Sequence, residues 1–179
     1  DEAAGYVEVH IEQGPVLEAG AKQLGIVEHI AGYRRLRARV TGAARHSGTT
    51  PMRLRRDALA AASEMVLAAE ALAHSRGEAA TATAGNVQPA PGLYNVVAGP
   101  CEVWLEVRHA EPSALAAMAA ALHKRCAAIA ERRGVALEWE PLTGQEPTPL
   151  SRELVEAAEA LARHQVVRHR RMPSGAAHD

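Results

Sequence analysis

The 179-residue sequence predicts an α/β fold, on three observations. Four stretches read as strands: residues 33 to 42, 81 to 88, 99 to 109 and 135 to 141. The alternation is clearest where Leu36, Ala38 and Val40 interleave with arginines, and again at Val103, Leu105 and Val107. Two longer stretches, 53 to 76 and the run opening at Pro112, repeat apolar residues near a 3.6 period, as amphipathic helices do. Their order is β-α-β-β-α-β, the split βαβ, ferredoxin-like arrangement: four antiparallel strands with two helices on one face.

The elements follow in order. The stretch "VEVHIEQGP", residues 7 to 15, alternates Val7, Val9 and Ile11 with Glu8, His10 and Glu12 and predicts a strand that Gly14-Pro15 terminates. Ligands of open α/β sheets sit beyond the carboxyl ends of strands, where His10 and Gln13 would lie. A half-exposed edge strand with a solvated polar face reads equally from the pattern. In residues 33 to 42, Arg35, Arg37 and Arg39 form the solvated face of a strand. The helix over 53 to 76 carries Leu59, Met65, Val66, Ala69 and Leu72. The loop "PAPGLYNVV" separates the next two strands. The second helix opens at Pro112, carries Leu115, Met118, Leu122, Cys126 and Ile129 on one stripe, and ends at Gly134. "VALEWEP" is the last strand of the unit, and a helix over 151 to 164 follows. The flanking strand and helix belong to neither layer of the central unit, as expected of an inserted domain. The boundaries read as 1–31, 32–141 and 142–179.

Composition narrows the function. With 47% hydrophobic residues and a net charge of −1, the chain carries a real core and no electrostatic footprint for nucleic acid or an anionic membrane. Two cysteines make no disulfide framework, and Cys126 falls on an apolar stripe, so a buried thiol in a reducing, cytoplasmic setting is expected. The missing initiator Met and the ending at "SGAAHD" lead us to expect an internal fragment.

Four stretches hold residue types that catalysis uses. His10, with Glu12 and Gln13, offers an imidazole suited to zinc and an amide suited to a polar substrate. His46 precedes Ser47-Gly48-Thr49-Thr50-Pro51, a loop whose hydroxyls suit the cap of the following helix; an incidental histidine in a helix-start loop fits as well. Asn95 and Arg108 offer an amide and a bidentate guanidinium for a carboxylate, or else a satisfied loop residue and a surface arginine. "PSGAAHD" ends the chain with small residues that admit close backbone approach. Neither Ser47 nor Ser174 lies in a G-x-S-x-G elbow.

Together, "HIEQGPVLE" (10 to 18), "HSGTTPMRLRRDAL" (46 to 59), "NVVAG" (95 to 99) with "EVRH" (106 to 109), and "PSGAAHD" (173 to 179) resemble the zinc-dependent N-carbamoyl-L-amino-acid hydrolases, allantoate amidohydrolases and β-ureidopropionases, the hydantoinase/carbamoylase group. The resemblance implies a ferredoxin-like dimerisation lid inserted in a zinc-exopeptidase-like catalytic domain, a ureido acid substrate, a divalent metal (Zn or Mn) and a homodimer. It implies His10 as a metal ligand and Gln13 as a substrate contact beside it. It further implies His46 as the lid histidine that stabilises an oxyanion, Asn95 and Arg108 as carboxylate contacts, and Gly175 and Ala176 as pocket lining. The sequence departs from the group at Glu106, where an aspartate is usual, and at Ala177, where a glycine is usual. The rival expectations are a dimerisation module without chemistry and a related zinc aminoacylase or exopeptidase.

Overall fold

A computed structural model describes residues 4–176, and its fold is mixed α/β. The elements run α1 (Val16–Ala19), β1 (Leu24–Ile30), β2 (Gly32–Thr41), β3 (Arg45–His46), α2 (Ala58–His74), β4 (Ala80–Pro89), β5 (Val96–Val97), β6 (Pro100–His109), α3 (Pro112–Arg133), β7 (Ala136–Gln145), β8 (Thr148–Pro149), α4 (Arg152–His164) and β9 (His169–Ser174). They form two compact units. One spans Ala31–Thr148, and the other joins the residues up to Ile30 with those from Pro149 onward.

In the larger unit, a four-stranded sheet has the order β4-β6-β2-β7, with each neighbouring pair antiparallel. Alternation decides which face is covered. Leu36, Ala38 and Val40 of β2 pair across with Leu105, Val103 and Cys101 of β6, and all six are buried. The helices meet this one face with Met65, Ala69 and Leu72 of α2 and Leu115, Met118, Leu122, Cys126 and Ile129 of α3. Each such large side chain contributes about 1.5–3 kcal/mol by leaving water. On the opposite face the intervening residues pair by charge: Arg35 with Glu106, Arg37 with Glu140, and Arg39 with Glu102 and Glu138.

Local signals set the helix ends. Pro112 opens α3, and Gly134, at φ 64, closes it in the left-handed conformation with its N–H on the Glu131 carbonyl. The first helix differs from the sequence expectation. It starts at Ala58, not residue 53, because Met52–Leu54 makes a separate 3-10 turn and the Asp57 carboxylate caps the N–H of Ala60 at 3.1 Å. Leu59, expected on the apolar stripe, is 38% exposed. The last strand continues past residue 141 to Gln145.

The smaller unit holds the parallel pair β1–β9, with β8 on the other side of β1. Helix α4, capped by Ser151, packs against it through Val155 and Ala162 onto Ile26. Arg171 ties Glu28 to Glu159. The expected strand over residues 7 to 15 is absent: among the described residues no helix or strand precedes α1. Alternation becomes a strand where one face is covered, and the apolar face of this run lies open. Val7, Val9 and Ile11 are 74%, 95% and 76% exposed.

Candidate functional site

The HSGTTP stretch is built as a short ribbon. β3 pairs antiparallel with β5, setting His46 opposite Val96. The root of the ribbon is fixed by the core: Val97 and Ala98 are buried, and the Gly42 N–H donates to the Gly99 carbonyl. Gly42 has to be glycine, since a Cβ there would meet the Arg56 carbonyl oxygen at 2.0 Å. The tip of the ribbon is exposed at His46 and Asn95. The Ser47 N–H donates to the Asn95 carbonyl at 2.8 Å, and the Ser47 hydroxyl donates to the Tyr94 carbonyl at 3.4 Å. Sequence positions 46 and 95 are thereby neighbours in space. The loop hydroxyls do not cap α2 as expected, because Asp57 holds that position.

The Gly48 N–H donates to Nδ1 of His46 at 3.1 Å. A neutral imidazole that accepts on Nδ1 carries its proton on Nε2. The exposed histidine therefore presents an N–H donor, the tautomer suited to an oxyanion and unsuited to a general base at Nε2. Arg55, which sequence reasoning did not single out, supports this loop. Its Nε donates to the Thr50 carbonyl at 3.0 Å, and its terminal nitrogen donates to the Ser47 carbonyl. The available signal was the basic run after Pro51, where Arg53, Arg55 and Arg56 read as the first turn of the expected helix.

Arg108 lies elsewhere in the same unit. It is paired with Tyr33 on β2 and Thr81 on β4, at the end of β6 opposite Pro100. Arg108 lies eight positions after Pro100, about 26 Å along the strand. The chain thus does not bring Arg108 beside Asn95. Arg108 Nε donates to Glu106 at 2.6 Å, and its guanidinium lies 5.5 Å from the centre of the Tyr33 ring. Burial raises the Glu106 pKa, but hydrogen bonds and charge from Arg108 and Arg35 outweigh it and leave the carboxyl below its ordinary value. The Glu106 carboxylate thereby holds the Arg108 guanidinium.

In the smaller unit, the HIEQGP stretch is a shaped turn in place of a strand end. The Glu12 carboxylate accepts from the Val16 and Leu17 N–H groups at 2.7 and 2.9 Å, capping α1, and Gln13 takes φ 57. Glu12 is thereby committed to the backbone. His10 is exposed, with Nδ1 2.6 Å from the Ile11 carbonyl oxygen. Gly175 and Ala176 follow the carboxyl end of β9, a parallel strand, where ligand sites of α/β sheets occur. The Ala176 N–H donates to the Ser174 hydroxyl at 3.2 Å. Ala177, with His178 and Asp179, lies outside the described residues. No three His, Cys, Asp or Glu side chains converge as metal ligands among the described residues.

The chain is 34% identical over 174 residues to an allantoate amidohydrolase of Escherichia coli and, over the same length, 34% identical to an N-carbamoyl-L-amino-acid amidohydrolase of Paenarthrobacter aurescens. The chain is homologous to these amidohydrolases. Each match takes in 97% of this chain and 42% of the relative, so the chain spans well under half the length of the curated relatives. A hydantoinase/carbamoylase family amidase from Burkholderia ambifaria superposes with a TM-score of 0.92 at 37% identity, over 94% of this chain and 41% of that one. An amidohydrolase/peptidase structure from Burkholderia cenocepacia gives the same TM-score at 34% identity, over 94% and 42%. No protein-family model matches the chain.

Proposed function

We propose that the whole protein is a metal-dependent amidohydrolase that cleaves the C–N bond of N-carbamoyl-L-amino acids or related ureido acids such as allantoate and ureidopropionate. The larger unit is its ferredoxin-like dimerisation lid, and the smaller unit is part of its catalytic domain. The observation that carries this reading is His46, held as an Nε2–H donor beside Asn95. A ureido carbonyl under attack develops an oxyanion that needs such a donor. Arg108, aimed by Glu106, takes the substrate carboxylate through its guanidinium fork. Gln13, Gly175 and Ala176 are read as pocket contacts of the smaller unit, and His10 as one ligand of a Zn or Mn ion. The described residues do not by themselves complete a metal site. No helix of the described residues is long and apolar enough to cross a membrane. Two buried free thiols go with a cytoplasmic setting.

The separation of Arg108 from the His46 ribbon argues for a homodimer, since a small ureido acid is far shorter than β6. Strand β4 is an edge of the sheet and reads ATATAGNVQP, without a charge, whereas the other edge, β7, carries Glu138, Glu140 and Pro141. Uncharged edges invite strand addition. Antiparallel pairing of two β4 strands across a two-fold sets the Thr81 end of one copy beside the Pro89 end of the other. The Thr81 end carries Arg108, and the Pro89 end carries Cys101 of β6 and the root of the His46 ribbon. The carboxylate contact of one copy then shares a substrate with the oxyanion donor of the second.

Mixing tests this directly. His46→Ala and Arg108→Ala enzymes are each expected to be nearly inactive on an N-carbamoyl amino acid. Mixed in equal amounts and allowed to exchange subunits, they recover about a quarter of wild-type activity, because half the dimers carry one intact composite site. No recovery in a mixture shown by sedimentation to contain heterodimers defeats the reading.

A further inference from the structure

We propose that Arg55 is the positioning residue that sets the tautomer and aim of His46. This rests on the reading of His46 as an oxyanion donor. The Ser47 carbonyl and the Gly48 N–H are opposite edges of one peptide plane, which is rigid. Arg55 holds the carbonyl edge, and the N–H edge donates to Nδ1 of His46. Anchoring one edge therefore fixes where the other points. Charge-assisted donation to the carbonyl also polarises the peptide and strengthens its N–H as a donor. A second bond, from Arg55 Nε to Thr50, closes the loop, since the Thr50 N–H returns to the His46 carbonyl at 3.1 Å. One guanidinium thus pins both peptides that flank the turn after His46. The contact is close: a Cβ on Gly48 would sit 3.3 Å from Cε1 of His46. Without Arg55, the 47–48 peptide is free to rotate, Nδ1 loses its donor, and the imidazole proton distributes over both nitrogens. Lysine keeps the charge but not the fork that reaches two carbonyls.

The test reads the tautomer itself, on the 15N-labelled 179-residue chain, by long-range proton–nitrogen spectra of histidine at a pH where His46 is neutral. Wild type and an Arg53→Ala control are expected to show the Nε2–H form, and Arg55→Ala and Arg55→Lys a mixture of both forms. Circular dichroism checks folding, and Arg55→Lys carries the test should Arg55→Ala fail to fold. An Nδ1–H form in wild type, or an Nε2–H form unchanged in the folded variants, overturns the proposal. In the whole enzyme the same variants are expected to lower kcat roughly 10- to 100-fold with KM little changed. A shifted tautomer with undiminished kcat leaves the positioning role of Arg55 standing and removes the oxyanion role of His46 on which it was built.

Discussion

Two runs of alternating residues, 7 to 11 and 103 to 107, have nearly the same pattern and opposite fates. Val103, Leu105 and Val107 are buried to within 2% of full burial. Each lies between β2 and β4 in the sheet and beneath α2 and α3. Val7, Val9 and Ile11 are among the most exposed apolar residues described. The sequence signal is a statement about one side of a contact, and burial needs the other side. In the larger unit each strand face meets a partner with matching period, so alternation becomes register and register becomes core. In the smaller unit the packed apolar group is Ile26, Val155 and Ala162 with Val167, and the 7 to 11 run is not part of it. Charges repeat the contrast. Outward residues of the larger sheet pair across strands, whereas the Glu12 carboxylate turns to its own backbone.

The largest effect that sharpens this comparison comes from the core of the larger unit. Leu122 is fully buried on α3. Leu122→Ala leaves a cavity that the close-packed layer cannot fill, at a cost of about 2–5 kcal/mol. Urea unfolding followed by Trp104 and Trp139 fluorescence measures it, both tryptophans being in the larger unit. A cost near that of a surface exchange would mean that the sheet and helices do not share the core described here.

Acid gives a smaller effect with a defined sign. Hydrogen bonds from Arg132 and Arg133 lower the Glu64 carboxyl from 4.5 to about 2, joining α2 to the end of α3. A depressed folded-state pKa means that the pairing stabilises the unit fully above the unfolded value. That contribution is lost as pH falls from about 4.5 toward 2. Glu64→Gln is therefore expected to flatten the stability profile of the larger unit over that window and leave its slope above pH 6 unchanged. An identical slope in wild type and variant between pH 4.5 and 2.5 would show that the cluster does not couple the two helices.

Much of the larger unit was legible in the sequence because its signals are local or self-consistent: the Pro112 start, the Gly134 stop, the Leu115 to Ile129 stripe, and the Leu36 to Val40 alternation. What was not legible depends on tertiary partners. β1 and β9 each lack a clear period, because they are short and only partly covered, and their parallel pairing joins positions about 145 residues apart in the chain. The candidate site divides in the same way. His46 and Asn95 were singled out as residue types, but their adjacency comes from a two-residue ribbon too short to leave a pattern. The distance of Arg108 from them comes from strand length, and a list of motifs in chain order hides it. Arg55 acts through backbone carbonyls, which no side-chain pattern encodes.

The smallest expected effect is the sharpest test of the contrast between the two runs. Val9 is 95% exposed, so Val9→Asp buries no charge and removes no contact that the structure shows. Surface exchanges of this kind cost within about 0.5 kcal/mol. The same exchange at Val103, with no exposed surface and flanked by Ala38 on β2 and Val87 on β4, places a carboxylate in an apolar layer. That costs several kcal/mol, because an unpaired charge in a low-dielectric interior has nothing to replace its hydration. Both variants are made in the 179-residue chain and unfolded side by side in urea. Val103→Asp is expected to abolish the cooperative transition, and Val9→Asp to leave its midpoint in place. If Val9→Asp shifts the midpoint as strongly, the 7 to 11 run is packed in solution. The alternation would then have reported a buried face after all, and the difference between the two regions would lie in the partner and not in the pattern.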